Sequence, residues 1–152
     1  MHQDALHSGM ALGALDSMGL AALERSYRDT VAALDERERI LLVAETGSEL
    51  VGMAQLALSR ATNADHRAEV QRVGVASEAR GRGVGRRLMV AVEEAALEHG
   101  LSLLWLTTHD GTDACVFYEA VGYTKLGVMP NYSRRPNGTL WPGAFYFKDL
   151  SA

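Results

Sequence analysis

The sequence is poor in cysteine, in long apolar runs and in positive charge. Cys115 is the single cysteine, which excludes a disulfide framework and a site built on cysteine pairs, and favours a reducing, cytoplasmic location. No apolar run approaches the ~20 residues that a membrane-spanning helix needs, and the first residues lack the pattern of a signal peptide. The net charge of -4 provides no basic surplus to neutralise a phosphate backbone. We therefore expect neither a membrane nor a nucleic acid as partner.

What the sequence does contain is enough apolar material for one folded unit. At 152 residues and 47% hydrophobic content, the chain has the size and composition of a single globular domain over 1–152. The small, weakly patterned residues 1–15 are expected to be partly loose. His66 and His99 lack metal-ligand spacing, so no metal is expected.

The spacing of apolar residues predicts alternating strands and helices. This order indicates an α/β fold, in which a mixed sheet carries helices on its faces and a right-handed βαβ crossover spans 69–108. Prolines and glycines in 129–143 predict a long loop between the last two strands. The predicted helices cover 16–37, 84–99 and 113–121, and the predicted strands cover 40–45, 50–59, 68–75, 102–108, 123–128 and 143–150.

The most informative segment is Arg80-Gly81-Arg82-Gly83-Val84-Gly85-Arg86. It contains three glycines and three arginines, and it lies between a predicted strand and a predicted helix. Exposed amides at the positive end of a helix dipole bind phosphate oxygens well. Glycines remove the Cβ atoms that would keep a pyrophosphate from the backbone, and arginines add fork-shaped donors. The segment therefore predicts a site for a diphosphate.

Two common glycine-rich loops do not fit this segment. A P-loop needs Gly-Lys-Ser/Thr for the last phosphate and magnesium, whereas Arg86-Arg87 stands there. A dinucleotide fingerprint needs a further glycine where Leu88 stands, and a later acidic residue that is missing. A tight arginine-bearing turn without a ligand remains the open alternative.

Two segments together resemble the GNAT superfamily of acetyl-CoA-dependent N-acetyltransferases. Residues 70–88 resemble its pyrophosphate-binding motif, and 114–123, with Phe117-Tyr118-Glu119-Ala120-Val121-Gly122-Tyr123, resemble its second motif. The resemblance implies a GNAT-like, mostly antiparallel mixed sheet and an acyltransferase that uses acetyl-CoA. A narrower likeness to tabtoxin-resistance-type acetyltransferases rests on the segments 67–71, 79–83, 130–132, 136–140 and 146–148.

The resemblance also implies how the chain holds acetyl-CoA or coenzyme A. Backbone amides of 82–86 would bind the pyrophosphate, and the strand 73–75 would pair with the pantetheine amides as a further strand would. Gly74 is expected at the bulge that separates the two parallel strands, and an N–H of residue 73 or 75 would stabilise the oxyanion. The predicted cofactor-binding residues are Val73, Gly74, Val75, Arg80, Gly81, Arg82, Gly83, Val84, Gly85 and Arg86.

By the same resemblance, Tyr118 is the acid that protonates the departing thiolate, and Glu69 is the base or positions a water. A core tyrosine and an exposed glutamate are the structural alternatives for these two residues. His109 and Asp110 follow a strand on the cofactor side of the sheet and are further candidates for base or substrate binding. Cys115 is interpreted as a packing residue.

We expect the acceptor to be a primary amine of a small molecule, antibiotic-like or amino-acid-like, acetylated by direct attack. Peptide or protein N-termini, or a non-catalytic CoA-binding module, are the alternatives. The loop 129–143 is expected to cover the acceptor, and its Arg134 and Arg135 to recognise a carboxylate or contact a second subunit. Because the usual first strand is short or absent, we expect an open sheet edge and a homodimer.

Overall fold

The computed structural model describes residues 38–135 and 137–151 of the chain. The predicted loose segment 1–15, the predicted helix 16–37 and the question of a first strand lie outside this part. A short 3-10 helix, Ser77–Ala79, precedes the first of the two α-helices found within the described residues. In chain order the elements are β1 Arg39–Thr46, β2 Glu49–Leu58, β3 Arg67–Val75, α1 Val84–Glu98, β4 Leu103–His109, α2 Asp113–Ala120, β5 Thr124–Arg134 and β6 Leu140–Asp149.

The six strands form one sheet in the order β1-β2-β3-β4-β6-β5. Only β3 and β4 run parallel, and α1 connects them; every other neighbouring pair is antiparallel. The prediction of a mixed, mostly antiparallel sheet with a βαβ crossover is therefore confirmed. The turn between β1 and β2, with Gly47 at φ 63°, is also where the sequence predicted it.

One face of the sheet carries the described core. Successive strand side chains point to opposite faces, and the buried residues of β3 and β4 fall on alternate positions, whereas β2 is buried without a break from residue 52 to residue 56. Lys148 on this face donates to Glu93 of α1 at 2.7 Å and to the Val121 carbonyl after α2 at 2.9 Å. Both described helices thus pack on the same face. The buried core residues of these strands are Ala54, Leu56, Ala68, Val70, Leu104, Leu106, Ala144 and Tyr146.

Glycines end both helices, as the sequence predicted. Gly100 and Gly122 have φ of 72° and 89°, and their N–H groups donate to Leu97 and Glu119 carbonyls. Only glycine adopts this conformation without a steric cost, so each helix stops there. Neither α1 nor α2 is long and apolar enough to cross a membrane.

The predicted long loop 129–143 is wrong, because most of it is a β-hairpin. β5 continues to Arg134 and β6 begins at Leu140. The pairing shifts between Met129 and Ser133, so Pro130 of β5 lies within this irregularity and Pro142 of β6 lies opposite it. Prolines are tolerated at bulges and on edge strands, and β5 is an edge strand. Turn-forming residues therefore marked a bulge as well as the short connection after Arg134.

Candidate active site

The site is organised around a fork between the two parallel strands. β3 and β4 pair only at Arg67–Leu103, Ala68–Leu104 and Glu69–Trp105. Beyond Glu69, no further pair joins these two strands in the described part of the chain. Backbone groups along the later half of β3 therefore face a gap at the carboxyl ends of both strands, which is where ligands bind in such sheets.

A bulge in β3 accompanies the fork. Gln55 pairs with Gln71 and Met53 with Gly74, so β3 has an extra residue between these positions. Arg72 occupies it with φ of 51°, and a bulge of this kind bends the strand. The prediction of the bulge at Gly74 is corrected to Arg72, because Gly74 keeps its pairing with β2.

The glycine turn opens directly into α1. Gly81 and Gly83 have φ of 73° and 76°, a region that favours glycine. Gly83 is the residue before the helix, and no side chain caps the first N–H groups. The Arg87 N–H donates to the Gly83 carbonyl at 3.1 Å, so the preceding amides of 84–86 have no acceptor within the helix. This arrangement fits a bound anion of the pyrophosphate type.

Two arginines hold the turn in shape. The Arg80 Nε donates to the Val75 carbonyl at 3.0 Å, and Arg87 Nη1 donates to the Arg82 carbonyl at 3.3 Å. These bonds tie the turn to the end of β3 and to the first turn of α1. Arg80, Arg82, Arg86 and Arg87 are all exposed, so four guanidinium groups face solvent around the turn.

Gly85 has a packing role that the sequence did not reveal. A Cβ at this position would lie 3.3 Å from two ring atoms of Phe117. The start of α1 therefore packs closely on α2, and a side chain would push the two helices apart.

Tyr118 lies buried on α2, within a cluster of aromatic rings. Its ring centroid is 5.4 Å from that of Phe117, 6.0 Å from Tyr123 and 6.1 Å from Tyr146. Burial, with a smaller contribution from Cys115, raises the pKa of the Tyr118 hydroxyl above its usual value. The phenol therefore keeps its proton at neutral pH, and its packing also suits a core residue.

The other two tyrosines of this cluster differ in their hydroxyl groups. Tyr146 donates to Glu119 Oε1 at 2.9 Å. The Tyr123 hydroxyl is buried, and no hydrogen-bond partner for it exists among the described residues. Burial, then the negative charge of Glu93, raises the pKa of Tyr123. A buried hydroxyl without a partner costs stability, which makes Tyr123 a useful comparison for Tyr118.

Glu69 lies at the fork, on the face of the sheet away from α1 and α2. It is half-buried, and its Oε2 accepts a hydrogen bond of 2.7 Å from Gln71 Nε2. The Gln71 Oε1 in turn faces Arg39 Nη1 at 3.4 Å. Glu69 is thus held in place from β3 and β1, which an unconstrained surface glutamate would not be.

His109 and Asp110 follow the fork at the end of β4. The Asp110 carboxylate pairs with Lys125 Nζ at 2.6 Å, so its charge is already compensated. Burial and the positive charge of Arg135 lower the pKa of His109 below its usual value. The imidazole is therefore neutral at pH 7. Cys115 is a buried packing residue, and its Sγ lies 3.4 Å from the His109 carbonyl oxygen.

The hairpin of β5 and β6 returns side chains to the end of β4. Tyr132 packs edge-on against Phe145 with centroids 5.0 Å apart, and its hydroxyl donates to Thr107 Oγ1 at 3.5 Å. The Arg135 guanidinium lies 3.5 Å over the Trp141 ring. These residues form one wall beside the fork.

Comparison with known proteins agrees with this geometry. Residues 14–123 match the sequence profile of the acetyltransferase (GNAT) family, a range that contains both β3 with its glycine turn and α2. The chain belongs to the GNAT family. The mouse (Mus musculus) protein N-alpha-acetyltransferase 80 is a relative, 42% identical over 81 residues. That alignment covers 53% of this chain and 24% of the mouse protein, so the chain spans about a quarter of that relative.

Solved GNAT structures share the fold. A ribosomal-protein-alanine N-acetyltransferase from Brucella melitensis superposes with a TM-score of 0.80 at 25% identity, covering 98% of this chain and 90% of that one. YncA from Salmonella typhimurium, solved with acetyl-CoA, gives 0.76 at 17% identity, covering 99% and 85%. An aminoglycoside 6'-N-acetyltransferase complexed with coenzyme A gives 0.69 at 23%, covering 99% and 91%.

Sequence reasoning missed the contacts that join different strands of this GNAT site. Gln71 lies within two of the matched segments, but neither Gln71 nor Arg39 was linked to Glu69, because their contacts depend on the register of three strands. Trp141 was hidden in the predicted loop. The alternation of side chains along β4 is a signal that would have indicated beforehand that Thr107 and His109 lie on the same face.

Proposed function

We propose that this GNAT protein transfers an acetyl group from acetyl-CoA to a primary amine by direct attack. The fork between β3 and β4, opening beside the uncapped start of α1, is the observation that carries the proposal. It places a free strand edge and an anion site next to each other, as a nucleotide thioester requires. Two structural neighbours contain acetyl-CoA or coenzyme A, which supports the same ligand for this chain.

Backbone groups would hold the donor. The amides of 84–86 at the start of α1 take the pyrophosphate oxygens, with Arg82 and Arg86 adding charge. The edge of β3 over Val73, Gly74 and Val75, on the side away from β2, pairs with the pantetheine amides. An N–H of Val73 or Val75 then lies close to the thioester oxygen and stabilises negative charge there.

Glu69 would remove the proton from the attacking amine. Direct attack needs a neutral amine, and Glu69 lies where the two strands part. Because Gln71 occupies Oε2, the other carboxylate oxygen is the one available to an ordered water. The positioned carboxylate accepts the amine proton through that water.

Tyr118 would supply the proton that the leaving sulfur needs. The N–C bond to the acetyl carbon forms as the C–S bond breaks, and the phenol proton passes to the thiolate to give free coenzyme A. Tyr118 lies on the helix-covered side of the sheet, and Glu69 lies on the opposite face. The base and the acid thus approach the gap from different sides.

For the acceptor we infer a small-molecule amine, antibiotic-like or amino-acid-like, and the tabtoxin-resistance-type subgroup remains a prediction. An N-terminal peptide is the second candidate. The expected loop over the acceptor site is a hairpin, which weakens the argument against a peptide. Two relatives are named as N-alpha-acetyltransferase 80 and ribosomal-protein-alanine N-acetyltransferase, which also favours it.

We also infer a homodimer. The edge that the usual first strand would cover lies outside the described residues, and β5 at the other end of the described sheet now supports the inference. β5 is an edge strand with apolar side chains in solvent: Leu126, Val128 and Met129 are 68%, 46% and 50% exposed. Edge strands of this kind pair or pack with another chain. Light scattering on the purified protein measures the mass; a monomer at all concentrations tested would contradict the inference.

Calorimetry with acetyl-CoA, combined with a free-thiol release assay over a panel of amines and peptides, tests the function. The proposal expects tight binding and amine-dependent thiol release. Turnover on small amines alone supports the first acceptor class, and turnover on peptides alone supports the second. Tight binding without release on any amine would contradict catalysis and support a CoA-binding module.

A further inference from the structure

Arg135 is fixed in place although it lies in the turn of the β5–β6 hairpin. Its guanidinium stacks 3.5 Å above the Trp141 ring. Its backbone N–H donates to the Thr139 carbonyl at 2.8 Å, and its carbonyl accepts from Gly138. Stacking on an aromatic face leaves the N–H donors at the edge of the guanidinium plane directed outward. The side chain is therefore a preorganised fork for a planar anion.

Trp141 is itself anchored. Its Nε1–H donates to the Asp110 carbonyl at 2.9 Å, which ties the indole to the end of β4. The Asp110 carboxylate is paired with Lys125. Within 38–135 and 137–151, no carboxylate pairs with Arg135. The guanidinium thus retains its charge and its capacity for a bidentate bond.

Arg134 next to it has a different role. Its Nη1 donates to the Gly138 carbonyl at 2.7 Å, within the same turn. This bond closes the hairpin connection, whereas the Arg135 side chain contributes no hydrogen bond to it among the described residues. The two arginines, which the sequence left equivalent, are therefore distinct.

The position of Arg135 connects it to the reaction. The Trp141 ring on which Arg135 stacks lies 6.4 Å from the His109 ring, centroid to centroid, and after burial the positive charge of Arg135 is the second cause of the lowered pKa of His109. His109 and Thr107 are alternate residues of β4, on the same face as Glu69, and about 7 Å apart along the strand. The guanidinium therefore lies near the carboxyl end of β4, next to residues on the face of the sheet that carries Glu69.

We propose that Arg135, held on Trp141, binds a carboxylate of the acceptor, so that the preferred substrates are amines that also carry a carboxylate. This inference rests on the proposed N-acetyltransferase function and specifies its substrate class. The neutral imidazole of His109 provides a second hydrogen-bonding group for the same anion. A carboxylate fits the guanidinium bidentately, which a neutral amide does not.

The test compares acceptors that differ only in this charge. The pair 4-aminobutanoate and 4-aminobutanamide forms one arm, and the C-terminally amidated tetrapeptides Asp-Ala-Ala-Ala and Asn-Ala-Ala-Ala form the other, so that only one member of each pair has a carboxylate and the two arms distinguish a small amino acid from a peptide. For each, kcat/KM for thiol release is measured in wild type, Arg135→Gln and Arg134→Gln, which change the net charge equally. Binding of each acceptor in the presence of coenzyme A is measured by calorimetry.

We expect wild type to favour the acidic member of at least one pair by about 10-fold or more, since a charged hydrogen bond contributes ~1.5–3 kcal/mol. Arg135→Gln should bring this ratio towards one, and Arg134→Gln should keep it. Equal values for acidic and neutral members in wild type would overturn the inference while leaving the acetyltransferase intact. If no amine is acetylated, the function fails, and calorimetry alone decides whether Arg135 selects carboxylates.

Discussion

The ring of Tyr132 occupies the space that a side chain at residue 143 would need. A Cβ at Gly143 would lie 2.4 Å from Cδ1 of Tyr132, and 2.6 Å from its Cγ. Gly143 is paired with His109 of β4. A glycine at position 143 therefore leaves the space that the Tyr132 ring occupies. In this position Tyr132 lies across the hairpin, and its hydroxyl reaches Thr107 beside the fork.

Gly143→Ala is expected to displace Tyr132 and to weaken acceptor use selectively. The methyl group cannot fit, because the ring atoms it meets are close to the Tyr132 backbone. We expect KM for the amine to rise by roughly 10-fold, equivalent to ~1.4 kcal/mol, with the affinity for acetyl-CoA unchanged. Steady-state kinetics and calorimetry measure the two quantities.

Gly127→Ala is the matched control for this substitution. It lies in β5 of the same hairpin, and a Cβ there meets nothing within 4 Å. Its kinetics should equal those of wild type. A Gly143→Ala protein with the wild-type KM would show that Tyr132 takes no part in acceptor binding.

Gly83→Glu is expected to abolish acetyl-CoA binding while the fold remains. Glutamate places bulk and negative charge where the amides of α1 would hold a pyrophosphate. Gly83 has φ of 76°, so any side chain also adds ~1–2 kcal/mol of backbone strain. Calorimetry measures the loss of binding, and circular dichroism shows whether the fold persists.

Gly100→Glu separates strain from position. Gly100 has φ of 72° and open space around its Cα, and it follows the other end of the same helix, about 22 Å away. The Gly100→Glu protein should lose about as much folding stability as Gly83→Glu does, and it should keep the wild-type affinity for acetyl-CoA. If Gly83→Glu bound acetyl-CoA as tightly as Gly100→Glu does, the glycine turn would not be the cofactor site.

Local patterns predicted most of the fold, because local chemistry determined it. The helix after the glycine turn, its end at Gly100, and the strands around 40–58 all lie within two residues of their predicted bounds. The prediction failed at the hairpin of β5 and β6. Prolines and glycines usually break strands, but in this hairpin they mark a bulge on an edge strand. A bulge depends on the neighbouring strand, and one sequence does not reveal that pairing.

The same distinction between local patterns and contacts across the sheet applies to the candidate site. The glycine turn and Tyr118 stood in contiguous motifs, and the sequence located both. The contacts of Glu69 with Gln71 and of Arg135 with Trp141 join residues through the register of the sheet or the path of the hairpin. Such contacts follow only from the folded backbone, which is why the acceptor side was predicted least well.

Tyr118→Phe is expected to lower kcat by about 100-fold if its phenol protonates the leaving thiolate. Tyr123→Phe provides the comparison, because it removes a buried hydroxyl from a ring in contact with Tyr118. That hydroxyl has no partner among the described residues, so its loss should raise the free energy of unfolding by about 1 kcal/mol. Its kcat should stay at the wild-type value.

Single-turnover kinetics with saturating acetyl-CoA and urea unfolding give the two measurements. Loss of rate in Tyr118→Phe alone supports the acid role. Equal rates in Tyr118→Phe and wild type would return Tyr118 to the aromatic core. Equal losses of rate in both variants would point to damaged packing, which the unfolding curves would reveal.

The titration of His109 tests how the hairpin faces the end of β4. Burial and Arg135 both disfavour the imidazolium, so its pKa should lie below the ordinary value of about 6.5. As pH falls below that value, the unfolded chain takes up this proton more readily than the folded one, and folding loses stability. Arg135→Gln removes one of the two causes and should move the pKa upward, while Arg134→Gln should leave it in place. NMR chemical shifts of the imidazole protons follow the titration; a midpoint that Arg135→Gln does not move would mean that Arg135 and His109 do not share one site.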